Sequence, residues 1–220
     1  MKTRILLVAL LIALLSACQP AAPNFSGRWT TNAGTLTLTQ TGNEVSGSFE
    51  GYGGNFVFAL GGDVSGTILS FDAVSKDLPA LPDIVLSEDG QTFHSADSAQ
   101  GFCGSRNEVL PDGCGFSGTW KLKADFIPEG SLAKLTQSGA TVSGGAYGPD
   151  GVTLAAFDGV MDWGKGLHLT GTNEWGEYSL GMMSDGRSFF LMVDLSNQEW
   201  CGLRDGETSA YVLFFDCAIP

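Results

Sequence analysis

The feature that most constrains this chain is that it spells its key motifs twice. Phe25-Ser26-Gly27-Arg28-Trp29 returns as Phe116-Ser117-Gly118-Thr119-Trp120. Leu38-Thr39-Gln40-Thr41-Gly42, followed by Val45-Ser46-Gly47, returns as Leu135-Thr136-Gln137-Ser138-Gly139, followed by Val142-Ser143-Gly144. Asp89-Gly90 with Phe93 matches Asp185-Gly186 with Phe189, and Phe102-Cys103-Gly104-Ser105-Arg106 matches Trp200-Cys201-Gly202-Leu203-Arg204. The order is preserved throughout. Self-similarity of this kind marks repeated structural units. The chain therefore divides into two homologous modules, 25–114 and 115–220, behind a short N-terminal part.

Within a module the pattern is that of short strands. Thr35 to Gln40 alternates polar and apolar, the period of a half-buried strand. Gly42-Asn43 marks a tight turn, after which Glu44 to Phe49 alternates again. Further strands are expected at residues 54–60, 64–72, 83–87 and 91–95. In the second module they are expected at 152–158, 160–163, 167–172, 177–183 and 187–194. Asp-Gly pairs at 89, 112, 150, 185 and 205 read as hairpin turns, because glycine accepts positive φ without steric cost. Gly61-Gly62-Asp63 reads as another place where the chain turns. No segment after residue 18 sustains an apolar period of 3.6 residues over three turns. The expectation is an all-β protein of two tandem modules. Each is built of short antiparallel strands in a barrel-like, up-and-down meander or a sandwich.

The N-terminus supplies an address. Lys2 and Arg4 precede an apolar run from Ile5 to Leu15, too short for a permanent membrane span, so residues 1–17 are expected to be an export signal. Leu15-Ser16-Ala17-Cys18 resembles the lipobox of bacterial lipoproteins. That resemblance implies a diacylglycerol thioether on Cys18, cleavage before it, and acylation of the new amino group with a palmitate-type chain. The lipid would make the membrane a partner. Gln19, in place of an aspartate, favours the outer membrane in a two-membrane cell; a one-membrane cell would carry the protein on the outer face of its plasma membrane. Residues 18–24 would be a tether reaching roughly 20 Å. Losing Lys2 and Arg4 takes the formal charge from −13 to −15. Such a surface repels phosphate backbones, which argues against nucleic acid as a partner. Of five cysteines, lipidation accounts for Cys18. Outside the cytosol the other four, Cys103, Cys114, Cys201 and Cys217, are expected to be oxidised. Four cysteines allow three pairings, and the repeat selects Cys103–Cys114 and Cys201–Cys217, one local bridge per module.

The stretch from Phe25 to Glu50, with its G-x-W strand followed by a G-x-F strand, resembles the opening of avidin-type and lipocalin-type barrels. The resemblance implies a meander barrel. In the avidin pattern, ligand is contacted by an Asn two residues after the tryptophan and by a Tyr and a Ser near the third strand. The matching positions here hold Thr31, Phe49 and Gly51. Only Thr35 keeps a hydroxyl, so biotin binding does not carry over.

Chemistry-bearing motifs are sparse. Ser131-Leu132-Ala133-Lys134 fits the S-x-x-K pattern, but that chemistry needs a helical turn where the repeat places a strand, and its companion motifs are absent. His94 and His168 are the only histidines, neither with a second ligand at metal spacing. Glu174 and Glu177 flank Trp175, with Asp158 and Asp162 nearby; paired carboxylates of this kind would suit a glycosidase if 5–10 Å apart. Trp29 and Trp120 hold equivalent repeat positions and read as core plugs at a barrel end. Trp163 and Trp175 lack counterparts and are candidates for lining a ligand pocket. No residue is assigned to catalysis, a metal or a cofactor. The functional expectation is a non-enzymatic, lipid-anchored envelope protein with a binding or structural role and a small-molecule, glycan or envelope-protein partner. The alternatives are a lipocalin-like carrier and a hydrolase of envelope polysaccharide.

Overall fold

The computed structural model describes residues 23–54, 56–72, 81–98, 100–123, 127–162, 168–173, 176–183, 185–192 and 201–207. Among them there is no helix; the chain forms two closed antiparallel barrels of eight strands each. Barrel 1 comprises β1 (Gly27–Thr31), β2 (Gly34–Thr41), β3 (Glu44–Gly51), β4 (Val57–Ser65), β5 (Ile68–Phe71), β6 (Ile84–Leu86), β7 (Thr92–Ser95) and β8 (Cys103–Ser105). Barrel 2 comprises β9 (Gly118–Lys123), β10 (Leu132–Ser138), β11 (Thr141–Tyr147) and β12 (Thr153–Asp162). It continues through β13 (His168–Asn173), β14 (Gly176–Met182), β15 (Ser188–Met192) and β16 (Cys201–Arg204). Every strand pairs with its sequence neighbours, and β8 and β16 close the rings on β1 and β9. Closure removes the exposed sheet edges that would otherwise invite aggregation.

Alternation puts one face of each strand inside. Leu36 and Leu38 on β2, Val45 and Phe49 on β3, and Leu60 and Val64 on β4 are all buried. They pack with Trp29, Leu69, Ile84 and Phe93 into a single cluster. Barrel 2 has its own cluster, including Trp120, Leu135, Val142, Phe157, Leu169, Leu180 and Phe189. An eight-stranded ring is just narrow enough for side chains to fill.

Three local expectations need correcting. Residues 54–60 and 64–72 do not meet at a turn on Gly61-Gly62-Asp63, because β4 runs straight through it and the chain turns at Gly66 instead. The two strands expected at 152–158 and 160–163 are likewise replaced by one, β12, over Thr153–Asp162. The glycines there make room across the sheet: a Cβ on Gly62 would lie 3.1 Å from Leu69 Cδ1, and one on Gly159 would lie 2.6 Å from Leu169 Cδ1. Finally, the Asp-Gly pairs at 89, 150 and 185 do turn hairpins, whereas Asp112-Gly113 lies between the barrels and Asp205-Gly206 follows the last described strand.

Candidate functional site

Each barrel is sealed at one rim by residues from the repeated motifs. In barrel 1 the Trp29 indole Nε1 donates to the Phe25 carbonyl (2.8 Å), and the Arg106 guanidinium lies over the indole face at 4.0 Å. Arg106 also donates to the carbonyls of Ser26 (2.7 Å), Asn24 (2.7 Å) and Gly90 (2.8 Å). Gln40 Oε1 accepts from the Phe25 amide (2.8 Å), while Ser26 Oγ accepts from the Gln40 amide (2.8 Å).

Barrel 2 repeats the arrangement. Trp120 donates to Phe116 (3.0 Å) under Arg204 at 4.1 Å, and Arg204 reaches Ser117 (2.7 Å), Gly115 (2.7 Å) and Gly186 (3.0 Å). Gln137 Oε1 accepts from Phe116 (3.0 Å), and Ser117 Oγ from the Gln137 amide (2.8 Å). Arginine suits such a cap because its planar fork of five donors satisfies several rim carbonyls at once and covers an aromatic face as a cation. Burial lowers the Arg106 guanidinium from its ordinary value and takes Arg204 down to about 10, against the pull of Glu207 and Asp112. Both arginines and both glutamines lie inside the repeated motifs, but their role in closing a barrel was not anticipated from the sequence. Their recurrence at matched positions was the signal available.

The sealed rim of barrel 2 stands against the far rim of barrel 1. Gln137 Nε2 donates to the Asn32 carbonyl in the β1–β2 connection (3.3 Å). The backbones of Gly101 and Gly186 approach so closely that a Cβ on Gly101 would sit 2.6 Å from the Gly186 nitrogen. Tyr52 straddles the junction. Its hydroxyl donates to the Thr31 carbonyl of barrel 1 (2.6 Å), while its ring packs on the core of barrel 2. Burial pushes the Tyr52 phenol up, partly offset by Arg28.

Between the barrels the chain joins the sheet of barrel 2. Val109 bridges Ser138, Leu110 donates to the Gln137 carbonyl (2.9 Å), and Gly139 donates to the Glu108 carbonyl (3.0 Å). Cys103 on β8 is disulfide-bonded to Cys114, with Leu110 packed beside them. The bridge is the local one expected within module 1, but it reaches beyond the strands of barrel 1. It ties the last strand of barrel 1 to the segment that leads into barrel 2, because module 1 ends in the connection and not in its own closing strand.

Trp29 and Trp120 are the expected core plugs, fully buried. Ser131 is buried and donates to the Pro128 carbonyl (2.7 Å), whereas Lys134 is exposed on the extended strand β10 and reaches towards the Tyr147 ring. The two do not meet. His94 is exposed on β7, its Nδ1 2.9 Å from the Ser95 carbonyl; His168 opens β13. Glu177 is exposed on β14. Asp158 and Asp162 are four residues apart on β12, which sets their Cα atoms about 13 Å apart along the strand. Thr31 is buried and caps the β1–β2 turn, accepting from the amides of Ala33 and Gly34. Cys201 is buried in β16 and disulfide-bonded. Cys18, Trp163, Glu174, Trp175, Trp200 and Cys217 lie outside the described residues. Among the described residues no three histidine, cysteine or acidic side chains gather at metal-binding distance.

The class of protein these features define is a stacked pair of self-capped meander barrels. Comparison with known proteins finds no matching family profile, no similar curated protein and no similar solved structure.

Proposed function

We propose that this chain is an exported lipoprotein, cleaved before Cys18 and lipidated there, whose two barrels form a non-enzymatic binding or spacing body on the cell envelope. The observation that carries the reading is where the lead-in segment is fastened. Arg106 and Gln40 hold the carbonyls of Asn24 and Pro23 at the rim of barrel 1 that faces away from barrel 2. A lipid at residue 18 would thus sit below the stack, with barrel 2 displayed outward. Both interiors are lined by large apolar side chains, which supports placing recognition on rims and outer faces.

The test is intact-mass and native mass spectrometry of protein purified from its own host. The expected result is an N-terminus at Cys18 carrying acyl chains, and a Cys18→Ala variant released from membranes. A chain that keeps Met1 would sink the lipoprotein reading. A small molecule retained at one copy per chain would replace the spacer role with that of a carrier.

A further inference from the structure

We propose that the Cys103–Cys114 bridge is the lock on the joint between the barrels, so that its oxidation state sets whether the molecule is one rigid body or two barrels on a hinge. Four observations converge on this. The bridge starts on β8, the strand that closes barrel 1, where the Cys103 amide donates to Asn32 Oδ1 (3.2 Å). It ends one residue before Gly115, whose carbonyl Arg204 holds in the cap of barrel 2 (2.7 Å). Asn32 itself is the residue that accepts from Gln137 across the junction. The bridge thus links two segments that each barrel has already anchored by its own hydrogen bonds. Without it, the direct hold between barrels among the described residues consists of the Tyr52 ring, one long side-chain hydrogen bond, the short pairing of residues 108–110 with β10 and the close approaches of Gly101 to Gly186, Gly115 to Asn32 and Gly53 to Asp162. That is little to set against the freedom of a twelve-residue connection (Arg106 to Ser117).

Opening the lock is a two-electron exchange. A thiolate of a dithiol reductant attacks one sulfur of the bridge and forms a mixed disulfide. The reductant's second thiol resolves it, leaving two cysteine thiols on the protein and a disulfide on the reductant. Each barrel keeps its own Trp–Arg cap through this change, so the hinge opens without either core melting.

The experiment compares the full chain with a Cys103→Ala/Cys114→Ala variant under a glutamate-specific protease and by small-angle X-ray scattering. In the oxidised protein the Glu108 carbonyl is held by Gly139, and cleavage after Glu108 should be slow. In the variant it should quicken at least tenfold and the maximum dimension should broaden, while the near-ultraviolet signals of the tryptophans persist. Unchanged cleavage and unchanged scattering would overturn the proposal. So would loss of the tryptophan signals, since the bridge would then be holding a barrel together and not the joint. Tyr52→Ala, with the bridge intact, supplies a second reading. Cleavage should stay slow; an acceleration as large as that of the cysteine variant would show that the aromatic contact, and not the bridge, is the lock.

Discussion

Barrel 1 and barrel 2 close with the same four side-chain types, yet what each cap holds differs. Gln40 Nε2 donates to Pro23, part of the chain's own lead-in, whereas Gln137 Nε2 donates to Asn32 of the other barrel. One cap fastens a tail and the other has become half of a joint. The far rims diverge as well. In barrel 1 the inward positions Leu36, Phe49 and Phe58 face one another across β2, β3 and β4. The equivalent row in barrel 2 is Ala133, Ala146 and Ala155, paired across β10, β11 and β12. The connection above that row runs from 124 to 131, against only Asn32-Ala33 in barrel 1. Its Ile127 joins the core of barrel 2. The cap is thus the invariant of this fold, while the opposite rim was free to trade aromatic bulk for an inserted loop.

The largest effects should come from breaking the caps. Trp29→Ala and Trp120→Ala each remove a fully buried indole and its hydrogen bond, at about 3–5 kcal/mol. They should not be equivalent. Trp29→Ala should lower only the unfolding transition of barrel 1. Trp120→Ala should lower both, because the cap of barrel 2 stands against the far rim of barrel 1. Urea melts followed by far-ultraviolet circular dichroism, with Trp29 reporting barrel 1 in the Trp120→Ala variant and the module 2 tryptophans reporting barrel 2 in Trp29→Ala, resolve this; equal and independent losses would mean that the junction carries no stability. Next come the arginines. Arg204 is only 9% exposed, so Arg204→Met strands the carbonyls of Gly115, Ser117 and Gly186 and should cost about 3 kcal/mol. Arg106 is half-buried at an outer rim where water can replace it, and Arg106→Met should cost about 1–2 kcal/mol. A reversed order in denaturant midpoints would contradict the difference in burial.

The two-module, all-β architecture was legible because repeated motifs and strand alternation are local signals. The misread strand ends have a common cause. Gly62 and Gly159 look like turn residues, yet both serve a contact across the sheet, where a neighbouring leucine takes the place of their missing side chain. Arg106 and Arg204 were visible as repeated residues, but a guanidinium's partners are three carbonyls from elsewhere in the chain, and no local pattern marks those. The joint was illegible for the same reason: Gln40 and Gln137 sit in the same motif and differ only in what folds up against them. The pairing Cys103–Cys114 followed from the repeat, while its role across the junction needed the boundary between barrels.

The far rims give a smaller and more selective test. Ala146→Phe restores in barrel 2 the side chain that barrel 1 carries as Phe49, and overpacking should cost about 1–3 kcal/mol. If the inserted loop replaces the lost aromatic bulk, Ile127→Ala in the same background should recover part of that loss, a coupling of about 1 kcal/mol in a double-mutant cycle. Additive effects would separate Ile127 from the alanine row.

The smallest expected effect concerns how each barrel fills the space beside its strand glycine. Gly62 and Gly159 both pair with the valine of the V-S-G motif on one side. On the other side Gly62 faces Phe71, and Gly159 faces Gly171. Barrel 2 recovers the missing ring from the next strand: Tyr178 lies across Gly171, its hydroxyl 2.6 Å from where a Cβ would stand. The ring brings a polar atom into the core, and the Tyr178 hydroxyl is buried beside the Asp158 backbone with no well-formed hydrogen bond among the described residues. Tyr178→Phe should therefore be neutral or stabilising by up to about 1 kcal/mol at neutral pH, since a buried hydroxyl with only a poorly formed contact to the Asp158 backbone contributes more desolvation cost than bonding. Alkali gives the sharper reading. Burial pushes the Tyr178 phenol from 10.0 up to about 12, so the folded state favours the neutral form. The resulting stability is fully present below pH 10 and is lost as the pH rises through about 12. Urea midpoints should fall more steeply across that window in the wild type than in Tyr178→Phe, with Tyr52 leaving a residual slope in both. Parallel slopes would mean that the hydroxyl ionises as freely folded as unfolded, and that barrel 2 had filled its gap at no electrostatic cost.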